Sequence, residues 1–113
     1  MGYRFEAYEV ALELVAALRP GVDQLALRDR DLADQMRRAA SSVVLNLAEG
    51  ARRTGRDRLH FYRVAAGSAA EVRAALAVAR AWRTLDPVAE VEVQLDRVLA
   101  MLWRLTQGRR PGP

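Results

Sequence analysis

The sequence of 113 residues has no cysteine, no lysine and one histidine, His60. Without cysteine there is neither a disulfide framework nor a thiolate metal site. One histidine and scattered carboxylates do not supply the several ligands that a metal needs. No segment approaches the roughly 20 consecutive apolar residues of a membrane span, and the first residues contain no apolar signal core. We therefore expect a cytoplasmic protein without a membrane, metal or cofactor partner.

Catalytic patterns are also missing from the sequence. His60 stands among arginines and aromatic residues, which favours a solvated histidine over a general base. Gly50 and Gly55 bracket an arginine-rich turn that lacks the lysine of a phosphate-binding loop. The sequence therefore predicts a protein that is not an enzyme.

Apolar residues recur every three or four positions in four segments, which is the period of an amphipathic helix. Hydrophobic residues make up 51% of the chain, enough for one domain with a single core. We predict an all-α protein, an antiparallel up-and-down four-helix bundle over residues 1–107. The segment 108–113, rich in glycine and proline, is predicted to be a disordered tail.

The first two helices have recognisable boundary residues. The first helix should start near Tyr3 to Phe5 and be interrupted at Pro20-Gly21, whereas the structure of residues 20–30 is left open. Asp31 is the predicted N-cap of the second helix, since a short polar side chain can accept from the free amide groups. Gly50 should end that helix.

The last two helices have boundary signals of their own. Thr54 and Asp57 have the spacing of a capping box, so the third helix should begin at Gly55 and run to about Leu85. Asp86-Pro87 should be the N-cap and first residue of the fourth helix. The predicted core positions of the third helix are Phe61, Ala65, Ser68, Val72, Ala75, Ala79 and Trp82.

A second file on the third helix consists of small residues: Gly67, Ala70, Ala74, Ala77 and Ala81. Two explanations fit this file, namely alanine's helix propensity and the close approach of another helix. The first, third and fourth helices also have broad or doubled apolar faces, although a monomeric bundle needs only one apolar stripe per helix. We therefore expect a homo-oligomer.

Positive charge is concentrated in one short stretch. Five arginines and one aspartate lie between residues 52 and 63, an excess of four that equals the net charge of the whole chain. The predicted nucleic-acid-binding residues are Arg52, Arg53, Arg56, Arg58 and Arg63. Alternatively, these arginines form a solvated surface paired with the acids Glu6, Glu9 and Glu13 of the first helix.

A polar stripe accompanies the apolar residues of the second and third helices. Glu49 lies where the helix dipole disfavours an acid, so it should have a partner such as Arg52 or Arg53. We predict that the stripe stabilises the bundle by polar packing, with a ligand site as the alternative. Its residues are Arg38, Ser42, Asn46, Glu49, Ser68 and Glu71.

The run QMRRAASSVVLNLAEG from Gln35 to Gly50, followed by AAGSAAE from Ala65 to Glu71, resembles the bacterial four helix bundle protein family. This family is known from intervening sequences of 23S rRNA and is related to accessory variability determinants of diversity-generating retroelements. The resemblance covers roughly residues 5–85. It implies a four-helix bundle, often a ring-shaped homopentamer, with nucleic acid or a reverse transcriptase as partner and no catalytic residues.

Two functions agree with these observations. The first is a non-enzymatic module whose arginine turn binds the phosphates of RNA or DNA, with little sequence specificity and strong salt dependence. The second is a protein–protein adaptor or scaffold, for example for a reverse transcriptase, with no direct nucleic-acid contact. The sequence does not decide between them.

Overall fold

Four helices and no strand make up residues 5–107, the part of the chain described by the computed structural model. The helices are α1 (Glu6–Ala26), α2 (Arg30–Ala51), α3 (Gly55–Ala81) and α4 (Ala89–Gln107). Both α1 and α3 pack against α2 and α4, so each helix has two neighbours. The connections at 27–29 and 52–54 are short, which makes consecutive helices antiparallel. The predicted all-helical fold is confirmed, while the predicted tail at 108–113 lies outside the described residues.

The core is formed by the apolar stripe of each helix. On α1 the residues Val10, Leu14 and Leu18 repeat every fourth position and are buried, because this spacing places them on one side of the helix. The largest fully buried side chains come from all four helices and include Leu14, Met36, Val72 and Leu95. None of the helices within residues 5–107 has the length and apolar character required to cross a bilayer.

Pro20 does not interrupt the first helix, contrary to the prediction. It lies inside α1, which continues to Ala26. A proline within a helix removes a hydrogen bond and costs about 3 kcal/mol. The residues beyond it include Leu25, which is fully buried, and burying a leucine contributes about 1.5 to 3 kcal/mol. The core contact of the last turns therefore offsets the local cost of the proline.

The boundaries of α2 also differ from the prediction. Asp29 caps this helix, since its carboxylate accepts from the Leu32 amide at 3.0 Å, and Asp31 lies in the first turn instead. Gly50 is not the end of the helix, which continues to Ala51. Gly50 is buried against α3, where a Cβ would lie 2.7 Å from Tyr62 Cε1. The glycine is therefore explained by the close approach of the Tyr62 ring.

The helix α3 begins at Gly55 as predicted, with a φ of 58° at this glycine, but it ends before Leu85. Its last residue is Ala81, because the amide of Thr84 turns back to the Ala79 carbonyl at 2.9 Å. Arg83 has a left-handed backbone there, with φ of 57°. The predicted core position Trp82 is consequently outside the core, with 73% of its surface exposed.

The segment between α3 and α4 is longer than expected. Asp86-Pro87 does not start the fourth helix, which begins at Ala89. Leu85 is buried and packs toward Gly21 of α1, where a Cβ would lie 3.3 Å from Leu85 Cδ1. Burying this leucine holds the chain across the end of the bundle for several residues before α4 begins.

We expect Gly50→Ala to destabilise the protein by about 1 to 3 kcal/mol, because its methyl group would overlap the Tyr62 ring. Urea denaturation followed by circular dichroism measures this change. In a Tyr62→Leu background the same substitution should cost clearly less, since the ring is gone. Equal costs in both backgrounds would show that the ring is not what requires glycine.

Candidate functional site

The arginine turn lies at the end of the bundle where α2 passes into α3. Arg52 is the C-cap of α2 and Arg53 belongs to the connection, whereas Arg56, Arg58 and Arg63 lie in the first turns of α3. All five residues are exposed. The five arginines predicted to bind nucleic acid are therefore accessible to solvent, but they have different contacts.

Arg53 is held by contacts within the chain. Its Nη2 lies 2.7 Å from Glu49 Oε2, and its Nε donates to the same oxygen at 2.8 Å. The guanidinium carbon also lies 5.2 Å from the centroid of the Phe61 ring, within the range of a cation–π contact. Glu49 thus has the arginine partner that its position at the end of α2 requires.

Arg58 caps the carboxyl end of α2. Its Nε donates to the Gly50 carbonyl and its Nη2 to the Ala51 carbonyl, each at 3.2 Å. The last carbonyl groups of a helix have no partner within it, and a cation there also interacts favourably with the helix dipole. Arg53 and Arg58 therefore fix the geometry of the turn, although the sequence analysis predicts all five arginines to bind nucleic acid.

The other three arginines remain directed to solvent. Arg52 has a side chain that is 80% exposed and reaches Glu49 only at 4.0 Å. Arg56 and Arg63 make no hydrogen bond or ion pair with any of residues 5–107. Of the α1 acids considered as partners, Glu13 pairs instead with Arg97 of α4 at 3.5 Å. Three guanidinium groups are thus available to an external anion.

The amino end of α3 lies between these arginines. Thr54 precedes the helix as predicted, but its side chain makes no capping hydrogen bond. The expected capping box is therefore not formed, and the first amide groups of α3 have no hydroxyl from Thr54. Free amides and the positive end of the helix dipole favour anions, so they add to the field of the arginines.

A polar cluster joins α2 to α3 about three turns from the arginine turn. The hydroxyl groups of Ser42 and Ser68 lie 2.8 Å apart. Asn46 Nδ2 donates to the Ser42 carbonyl at 2.8 Å and to Ser42 Oγ at 3.0 Å. These three side chains satisfy one another within the bundle, which is the arrangement expected for structural polar packing.

Two residues of the predicted polar stripe do not join this cluster. Arg38 on α2 and Glu71 on α3 are exposed, and neither forms a hydrogen bond or ion pair with another residue in the range 5–107. The contacts within the chain therefore explain Ser42, Asn46, Glu49 and Ser68, but they give no role to Arg38 or Glu71.

The remaining candidate groups show no catalytic arrangement. His60 is exposed and contacts the edge of the Phe61 ring, with 5.3 Å between ring centroids. No group of three metal-ligating side chains occurs among residues 5–107. A groove of about 310 Å³ between α1 and α2 is lined by Val15, Leu18 and Arg37, among others. Sequence periodicity does not predict this groove, because two helices contribute to it.

The comparisons with known proteins identify a family. The family model described as 23S rRNA-intervening sequence protein matches residues 4–104, which includes all four helices almost completely. No curated protein matches the chain.

We expect Asn46→Leu to lower the free energy of unfolding by about 1 kcal/mol, because it removes two hydrogen bonds while Ser42 keeps its contact with Ser68. Thermal and urea denaturation measure the change. Gln35→Leu is the matched control, since Gln35 is exposed on the same helix and should change stability little. Equal stabilities of the two variants would contradict a structural role for Asn46.

Arg58→Ala should destabilise the protein by about 0.5 to 1 kcal/mol, because the Gly50 and Ala51 carbonyls lose their donor. Arg56→Ala removes the same charge two residues earlier but no contact, so its effect should stay within about 0.5 kcal/mol. Urea denaturation of both variants tests this division of the arginine turn. A larger loss of stability for Arg56→Ala than for Arg58→Ala would contradict the structural role of Arg58.

Proposed function

This chain belongs to the family of 23S rRNA-intervening sequence proteins, and we propose that it is a non-enzymatic protein that binds nucleic acid through its arginine turn. The observation that carries the proposal is the group of three outward arginines, Arg52, Arg56 and Arg63, beside the uncapped amino end of α3. The ligand recognised there is the phosphate backbone of RNA or DNA.

The difference between arginines bonded within the chain and arginines directed to solvent supports this function. Arg53 and Arg58 hold the turn through Glu49 and the end of α2, so the turn is ordered before any ligand arrives. The ordered backbone of the turn loses less conformational freedom on binding than a disordered loop would, although the side chains of Arg52, Arg56 and Arg63 still lose theirs. The guanidinium fork also matches the oxygen atoms of a phosphate in a bidentate arrangement.

The mechanism is electrostatic. Each arginine–phosphate contact releases condensed counterions, which makes binding steeply dependent on salt and nearly independent of base sequence. The family name associates its members with intervening sequences of 23S rRNA, and this favours RNA over DNA as the first ligand to test.

Self-association is part of the proposal. Several large apolar side chains are exposed, among them Leu27, Leu45, Trp82 and Trp103. Contact with another subunit would remove such side chains from water. A ring of identical subunits, with the pentamer implied by the resemblance, would repeat the arginine turn around one rim and multiply its attraction for a polyanion.

The test compares two double variants with the same change of charge. Arg52→Glu with Arg56→Glu should weaken binding of RNA of every sequence alike and lower the slope of log K against log salt by about 1.4 to 1.8, since each lost contact contributes 0.7 to 0.9. Arg28→Glu with Arg30→Glu, at the opposite end of the bundle, is the control and should keep the slope. Fluorescence anisotropy over a range of salt concentrations measures both.

The panel of ligands consists of single-stranded RNA, an RNA hairpin and duplex DNA, and the protein is freed of copurified nucleic acid beforehand. Equal losses for the two double variants would mean that total charge, and not the turn, governs binding. Absence of salt-sensitive binding to any of the three ligands at low ionic strength would refute the nucleic-acid function and favour the adaptor function.

A further inference from the structure

The outward faces of α2 and α3 are not covered by any other helix within residues 5–107. We propose that they pack against each other between copies, so that the outward face of α2 in one subunit contacts the outward face of α3 in the next. This inference rests on the self-association included in the proposed function and assigns its contact surface. Four observations support it: the open space beside Gly67, the exposed small residues that follow it, the exposed Leu45, and the opposite charges of Arg38 and Glu71.

Gly67 lies in the middle of α3, where glycine weakens a helix relative to alanine. Its neighbour in the bundle does not require it, because a Cβ at this position would meet no atom within 4 Å. Gly50 is the opposite case, since the Tyr62 ring occupies the space of its missing side chain. A glycine that faces open space in the single chain is explained by a helix of another copy that approaches closely.

The small residues that follow Gly67 are also uncovered. Gly67, Ala70, Ala74, Ala77 and Ala81 are all exposed, so the close helix contact that the sequence suggests is not made within residues 5–107. Together they form a shallow surface along the outward side of α3, about 20 Å long at 1.5 Å per residue. A side chain projecting from another helix could pack into it.

Leu45 is the projecting side chain. It lies on α2 and is 66% exposed although it stands in the middle of a regular helix. The hydrogen bond between Ser42 and Ser68 fixes the register of the two antiparallel helices. Leu45 is three residues beyond Ser42, so in the antiparallel register it is level with Ala65, about 3 Å along the bundle axis from Gly67, where the small-residue surface starts.

Arg38 and Glu71 complete the surface. Arg38 lies about one turn before Ser42, and Glu71 lies about one turn after Ser68. Because α2 and α3 are antiparallel, the two residues lie at nearly the same height along the bundle axis, on the side of the Ser42–Ser68 bond away from Leu45. They carry opposite charges, are exposed and have no partner within residues 5–107. In the proposed contact, Arg38 of one copy pairs with Glu71 of the next while Leu45 packs over Gly67.

The heights of these residues along the bundle axis predict whether the assembly is closed or open. The apolar contact and the ion pair each join positions that differ in height by no more than about 3 Å, so neighbouring copies need little shift along the bundle axis. A contact between two different faces without such a shift closes into a ring instead of extending into a filament.

The experiment measures the mass of the full-length protein by light scattering at micromolar concentration, with circular dichroism as the check of folding. The wild type should have several times the 12.6 kDa of one chain. Arg38→Glu or Glu71→Arg alone should raise the dissociation constant about tenfold or more, because like charges then face each other. The double variant Arg38→Glu with Glu71→Arg should restore assembly, since the pair is re-formed with reversed charges.

Gly67→Leu tests the apolar half of the contact, and it should give a folded monomer because a Cβ at that position meets no atom of residues 5–107 within 4 Å. Val93→Glu is the matched control, since Val93 is exposed on α4 outside the proposed surface. This control should keep the wild-type mass.

Each other outcome has a distinct meaning. A monomeric wild type would overturn both self-association and this contact, while leaving the phosphate-binding test of the arginine turn unaffected. An oligomeric wild type that is unchanged by Arg38→Glu and Gly67→Leu would overturn this surface alone. Dissociation by Val93→Glu but not by Gly67→Leu would place the contact on α4. Failure of the double charge reversal to restore assembly would refute the pairing of Arg38 with Glu71.

Discussion

The contact between α2 and α3 determines the position of every candidate functional residue. At one end of the contact the Tyr62 ring occupies the space that Gly50 leaves open, and further along the helices Ser42 bonds to Ser68. Close packing and a buried hydrogen bond are both short-range interactions, so together they fix the distance and the register of the two helices. The arginine turn joins the ends of these helices, and the outward faces of the same pair form the proposed subunit contact.

Local charge density alone does not identify the functional arginines. Arg58 lies two residues from Arg56 and has the same charge, yet it bonds to the last carbonyl groups of α2. Arg53 is one residue from Arg52 and is held between Glu49 and Phe61. These contacts of Arg53 and Arg58 hold the turn in place, whereas Arg52, Arg56 and Arg63 extend into solvent. A phosphate would therefore meet arginines on a backbone that is already in place, which lowers the entropic cost of binding.

The same reasoning applies to residues without a contact inside the chain. Glycine at position 67, the exposed Leu45 and the unpaired charges of Arg38 and Glu71 are each unfavourable or neutral in a single bundle. They lie on the outward faces of two neighbouring helices, and the proposed contact with a second copy would account for all of them. Gly50 differs from Gly67, because the Tyr62 ring of the same chain already explains why a glycine is needed there.

The sequence by itself determined the helical class, the number of helices and the start of α3, since apolar periodicity and turn residues act over a few positions. It also determined the charge of the arginine turn and an arginine partner for Glu49. The course of the chain beyond Pro20 and Asp86 was decided by tertiary structure, because burial of Leu25 and Leu85 outweighed the local preference of proline. Likewise, only packing decided which arginines are engaged and that the small-residue file of α3 is exposed, since both depend on side chains distant in the sequence.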